Sequence, residues 1–190
     1  MIWLLERPVF SPAEERLSRS AAARCKSSWR RNCSVFTISS AASPATAIAS
    51  GMADGMGFGD NTRAALITRG LAEMSRLGVA MGGHASTFAG LAGMGDLIAT
   101  CSSRQSRNNS VGIELGRGRA IADILADMKM VAEGVASSVA VLNLAARYGV
   151  EMPICEQVVA VCHRGATAVE VLDALMGRDS KSEVSGQEWS

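Results

Sequence analysis

Between Gly90 and Gly112 the chain reads Gly-Leu-Ala-Gly-Met-Gly-Asp-Leu-Ile-Ala-Thr-Cys-Ser-Ser-Arg-Gln-Ser-Arg-Asn-Asn-Ser-Val-Gly. One carboxylate, Asp96, precedes a dense run of hydrogen-bonding side chains that includes Ser106, Arg107 and Asn108. A guanidinium, a carboxamide and a hydroxyl side by side satisfy several oxygens of a phosphate or carboxylate at once. The chemistry on offer is recognition of a small anion, with Asp96 as the nearby acidic group. The same residue types also make an ordinary helix end and solvated loop, and an isolated Asp is usually a cap or a surface charge. Composition by itself favours that plainer reading.

The rest of the composition narrows the field. Lys and Arg number 19 against 18 Asp and Glu, a net charge of +1, so no overall field draws the chain to nucleic acid or an anionic membrane. Any anion site must therefore be local. Cys25, Cys33, Cys101, Cys155 and Cys162 are scattered without the paired spacing of a zinc site, His84 and His163 stand alone, and no metal is expected. The histidines read as surface or helix-face residues and Cys101 as a small core residue. No apolar run reaches membrane-spanning length and no signal-peptide core is present, so a soluble, reduced, cytoplasmic protein is expected.

The elements that must position Asp96 and the polar run are helical. Aromatic residues make up only 4% of the chain, which favours closely packed helices of Ala, Leu, Val, Ile and Met. A small-residue segment, Ala45 to Ala53, leads into glycines 55, 57 and 59, a turn or close-packed connection. A helix follows over Asn61–Leu77, with Asp60 or Asn61 as N-cap and Gly78 as its end. A second starts near Ser86 or Thr87 and reaches Ser102, with a break at the glycines before Asp96. Shorter helices are predicted over Val111–Leu115 and Ala120–Asp127, with a loop over Lys129–Gly134. Longer ones run from Val135 to Tyr148 and from Met152-Pro153 onward, and the last spans Ala168–Met176. The predicted fold class is all-α.

Taken as ordered blocks, Ser50-Gly-Met-Ala-Asp-Gly-Met-Gly-Phe-Gly-Asp-Asn-Thr-Arg-Ala-Ala-Leu-Ile-Thr-Arg-Gly, Thr87-Phe-Ala-Gly-Leu-Ala-Gly-Met-Gly-Asp-Leu-Ile-Ala-Thr-Cys, Ser106-Arg-Asn, Val131-Ala-Glu-Gly, Met152-Pro-Ile and Leu175-Met-Gly-Arg-Asp-Ser-Lys-Ser-Glu183 resemble the bacterial NAD(P)-dependent glycerol-3-phosphate dehydrogenases. The resemblance implies a multi-helix C-terminal substrate domain, of the type shared with 6-phosphogluconate dehydrogenase, over residues 46–183, and a tail over 184–190. It implies hydride transfer between sn-glycerol 3-phosphate and dihydroxyacetone phosphate, a step toward glycerophospholipid precursors, with NAD or NADP as cofactor. By the same resemblance Asp96, Thr100, Ser106, Arg107 and Asn108 fall at the substrate, and Arg107, Val131 and Glu133 at the cofactor. A homodimer, or association through an exposed helical surface, is also expected.

The departures from the family pattern shape the expectation further. Aligned without gaps, Ser43 stands where the family carries its catalytic lysine and Pro44 where it carries an asparagine, so no catalytic residue is assigned. Asn109 and Ser110 replace residues that are commonly basic. The family's glycine-rich cofactor domain has no counterpart in these residues, so the chain alone is expected to be inactive. The alternative is a noncatalytic phosphate-binding or dimerisation module. Residues 1–45, rich in Arg and Ser and without an acidic residue from Arg16 to Ala53, read as a weakly ordered, non-homologous arm. An out-of-frame or otherwise non-native translation is the favoured origin of that arm, and an organelle transit peptide the competing one.

Overall fold

A computed structural model describes residues 38–128 and 132–177, and every described element is helical. The expectations for the arm before residue 38 and for the tail after residue 177 lie outside the described residues.

The molecule is built around α1, residues 38–55, a run of Ala, Ser, Gly and a few larger apolar side chains. Its Ile38, Ala42, Ala45, Ala47, Ile48, Ala49, Met52 and Ala53 are buried, and so are Ser39, Ser43, Thr46 and Ser50. A helix buried on every side must be a central one, and its small side chains let neighbours come close. The boundary expected at residue 45 falls inside this helix. Pro44 lies inside it as well, although a proline there lacks the N–H that would bond back one turn.

Against α1 lies α5, Arg107–Gly116. Glycines spaced by four on both helices make the crossing. A Cβ on Gly51 would meet the Asn109 carbonyl oxygen at 2.2 Å, and one on Gly112 the Ile48 carbonyl oxygen at 2.1 Å. Gly55 and Gly116 repeat the pattern one turn on, against the carbonyls of Ile113 and Met52. Backbone packs on backbone here.

On another side of α1 lies α2, Asp60–Ala80, which buries Leu66, Gly70, Glu73, Met74, Leu77 and Gly78 along one stripe. Two expectations about α2 need correction. Its N-cap is Gly59, with Asp60 inside the first turn. Gly78 does not end it, because a Cβ there would lie 1.9 Å from the Phe88 ring; the glycine is a packing site for that ring. The chain reverses at Gly82 instead, where φ is +89°.

A short helix α3 (Ala85–Phe88) and one wide turn, Leu91–Gly95, then lead into α4, Asp96–Ser102. In that turn the Gly95 N–H bonds the Gly90 carbonyl five residues back, the break expected before Asp96. After α5 come α6 (Ile121–Asp127), α7 (Glu133–Arg147), α8 (Pro153–His163) and α9 (Ala168–Met176). Helix α7 packs on α8, α8 on α9, and α2 on α8. Among the described residues no helix is long and apolar enough to cross a membrane.

Candidate functional site

The polar run becomes two helix ends joined by a tight turn. Helix α4 stops at Ser102, and Ser106 caps α5 by accepting a hydrogen bond from the Asn109 N–H at 3.3 Å. Ser110 Oγ donates to the Ser106 carbonyl, which holds the same turn from the other side. Asn109 is 2% exposed, and its Nδ2 donates to the Cys101 carbonyl at 3.0 Å, tying α5 to the end of α4. Asn109 thus serves the frame and turns away from solvent.

Between the two ends and the start of α7 opens a cleft of 420 Å³ lined by Ala99, Thr100, Ser103, Gln105, Ser106, Arg107, Asn108 and Glu133. Five residues singled out in the sequence, Thr100, Ser106, Arg107, Asn108 and Glu133, therefore meet at one place. Val131 lies outside the described residues. Asp96 sits one turn along α4 from Thr100, whose hydroxyl donates to the Asp96 carbonyl at 2.8 Å.

Asp96 has a second neighbour. The Ser43 hydroxyl of α1 lies 3.3 Å from Asp96 Oδ2 and 3.6 Å from Met74 Sδ. Ser43 is itself buried, at 1% exposure. Ser43, expected at the family lysine position, thus lies directly against the candidate carboxylate as an uncharged donor.

Asn108 joins the cleft to α7. Its Oδ1 accepts from the Gly134 N–H at 2.9 Å, and Pro44 and Ile48 of α1 crowd the same glycine. Below the cleft, burial and then the nearby Asp96 carboxylate push the Cys101 thiol up to about 12, so it stays protonated and unreactive. That agrees with its reading as a core residue. His84 is exposed, and His163 lies on the α8 surface with Nε2 2.7 Å from the Val135 carbonyl oxygen. Among the described residues no cluster of metal-ligating side chains occurs.

Chemically, the cleft sets a guanidinium, two carboxamides (Gln105, Asn108) and three hydroxyls (Thr100, Ser103, Ser106) around one opening, together with the Glu133 carboxylate. Such a set suits a small, multiply charged oxyanion carrying further hydroxyls. Gly134, Ser103, Gln105 and the structural role of Asn109 were not singled out in the sequence. Gly134 alone had a signal, its place directly after Glu133.

Comparison with known proteins identifies the family. Residues 35–173 match the family described as NAD-dependent glycerol-3-phosphate dehydrogenase C-terminus. A glycerol-3-phosphate dehydrogenase [NAD(P)+] of Citrifermentans bemidjiense is 59% identical over 137 residues, 72% of this chain and 41% of that protein. The enzyme of the same name from Streptomyces griseus is 47% identical over 180 residues, 92% of this chain and 54% of that one. Among solved structures, glycerol-3-phosphate dehydrogenase from Coxiella burnetii superposes with a TM-score of 0.74 at 37% identity, covering 76% of this chain and 45% of its own. The chain thus spans between 41% and 54% of the length of these relatives. The family match begins at residue 35, upstream of the boundary expected at residue 45.

Proposed function

Since the chain belongs to the family of NAD-dependent glycerol-3-phosphate dehydrogenase C-terminal domains, we propose that its cleft binds the phosphate end of glycerol 3-phosphate or dihydroxyacetone phosphate. One observation carries this reading: Thr100, Ser106, Arg107 and Asn108 line one cleft, and Thr100 lies one turn of α4 from Asp96. Arg107 pairs with the phosphate, Asn108 donates to it, the hydroxyls of Ser106 and Thr100 complete its shell, and Asp96 accepts from a substrate hydroxyl.

A nicotinamide cofactor, NAD or NADP in this family, supplies or accepts the hydride when bound. Of the residues in hand, Arg107 and Glu133 offer a cation and an acceptor at the cleft edge, which fits a dinucleotide's polar rim. They make a margin of such a site, which needs a second wall. Cytoplasmic placement is supported by the three described cysteines, all buried free thiols. The exposed Leu91, Met94 and Ile98, on the approach to Asp96 and along α4, support association with a further domain or a second copy.

A noncatalytic, phosphate-binding role for these 190 residues is favoured by Ser43. The group beside Asp96 is an uncharged hydroxyl, which cannot polarise a substrate carbonyl as a cation does.

Calorimetric titration of the chain with sn-glycerol 3-phosphate tests binding. Saturable binding is expected, weakened about tenfold or more in Arg107→Ala, the loss of a charge-assisted hydrogen bond. Absent binding, or equal binding by the variant, rejects the reading. No oxidation of NADH or NADPH with dihydroxyacetone phosphate is expected from the chain alone, and measurable turnover rejects the noncatalytic role.

A further inference from the structure

We infer that Gly134 is a positioning residue for the anion cleft: its backbone N–H fixes the carboxamide of Asn108 so that the amide donor faces the cleft. This rests on the phosphate-binding reading above. Helix α7 begins after Ala132, which offers no side-chain oxygen to its first N–H groups. Gly134 is the second residue of α7, and Asn108 Oδ1 takes its N–H at 2.9 Å from 26 residues away. An N–H can only donate, so the atom facing it must be oxygen, and the flip of the carboxamide is settled by that bond. Nδ2, the other branch of the planar group, is then left for the side of Asn108 that lines the cleft.

The absence of a side chain at Gly134 is part of the device. A Cβ there would stand 2.8 Å from Asn108 Oδ1, 2.8 Å from Pro44 Cβ and 3.1 Å from Ile48 Cδ1. The Pro44 ring is rigid and set in α1, whereas the Asn108 carboxamide turns about two bonds. Any side chain at 134 therefore displaces the Asn108 carboxamide, and its clash with Pro44 shifts the start of α7 with it. A donor oriented before the ligand arrives loses less freedom on binding, so the arrangement raises affinity without a contact of its own.

The test is nuclear magnetic resonance on the 15N-labelled 190-residue chain, with sn-glycerol 3-phosphate as probe. In the wild type the Gly134 amide is expected to be protected from hydrogen exchange. Protection should persist in Asn108→Asp, which keeps the acceptor, and vanish in Asn108→Ala; equal protection in all three overturns the inference. In Gly134→Ala the Asn108 side-chain NH2 signals should move, and the dissociation constant should rise about tenfold. In an Asn108→Ala background the same glycine change should leave affinity within about twofold, since its effect runs through Asn108. An equal loss in both backgrounds overturns the inference. Absence of binding by the wild type rejects the phosphate reading instead, and the exchange and NH2 signals then decide the tie between Gly134 and Asn108. If Gly134→Ala does not fold, the exchange comparison among the Asn108 variants decides it.

Discussion

Asn108 and Asn109 adjoin in the chain and do different work. Asn109 is buried and holds the end of α4 through the Cys101 carbonyl, while Asn108 lines the cleft and holds the start of α7 through Gly134. Adjacent helical residues point about 100° apart, so one can face the frame and the other the site. Glu73 shows the same economy at a distance. It lies in the middle of α2 at 4% exposure, and its Oε1 accepts from the Ile154 N–H at 2.8 Å, where Pro153 opens α8 behind the uncapped Met152. Glu73→Ala leaves both a cavity and an orphaned helix N–H. A loss of about 2–4 kcal/mol in urea unfolding is expected, and a change under 1 kcal/mol would show that the bond to Ile154 contributes little. A capping carboxylate 81 residues from the helix it serves leaves no local pattern. The capping box of α9 is the contrast: Thr167 and Glu170 lie three residues apart, and the start of that helix is legible in the sequence at Ala168.

At the level of elements, the crossing of α1 over α5 decides where the cleft can form. It brings Pro44 and Ile48 of α1 against the beginning of α7, beside Asn108 of α5, because paired glycines allow the two backbones to touch. Gly112→Ala would drive a Cβ against the Ile48 carbonyl, a backbone atom that cannot swing aside. A loss of about 3 kcal/mol is expected in chemical denaturation, against a change within about 0.5 kcal/mol for Gly90→Ala, whose Cβ would meet its nearest atom at 3.5 Å. Equal stability of the two variants would contradict the close crossing. Periodicity gives the helices, but a glycine's purpose does not show in periodicity. Gly78 reads as a stop and is a seat for Phe88, whereas Gly149, expected near the end of α7, does take a positive φ of +64°. The local sequence is silent on the difference, because the atom that fills a glycine's space comes from another helix.

For the whole molecule, the core holds thiols that its folding keeps protonated. Burial pushes Cys101, Cys155 and Cys162 up to about 12, with the Asp96 carboxylate adding at Cys101 and that of Glu73 at Cys155. The unfolded chain releases these protons near the ordinary thiol value and the folded chain only near the raised one. Stability is therefore full below about pH 9 and falls as pH rises toward about 12. Urea midpoints measured from pH 8 to pH 10.5 should decline, and less steeply in Cys162→Ala; a flat profile would show the thiols are not shielded. The amino-acid sequence by itself determined the all-α class, the bounds of most helices to within a few residues, the polar cluster of Ser106, Arg107 and Asn108, and the family, because each rests on blocks of residues contiguous in the chain. Tertiary structure decided what depends on distant residues. It made α1 the central helix where composition had pointed to an arm ending near residue 45, since burial on all sides is conferred by α2, α5 and α7 and not by α1's own pattern. It also set Ser43 against Asp96, 53 residues away, and Gly134 against Asn108, 26 away, contacts that exist only once the helices have packed.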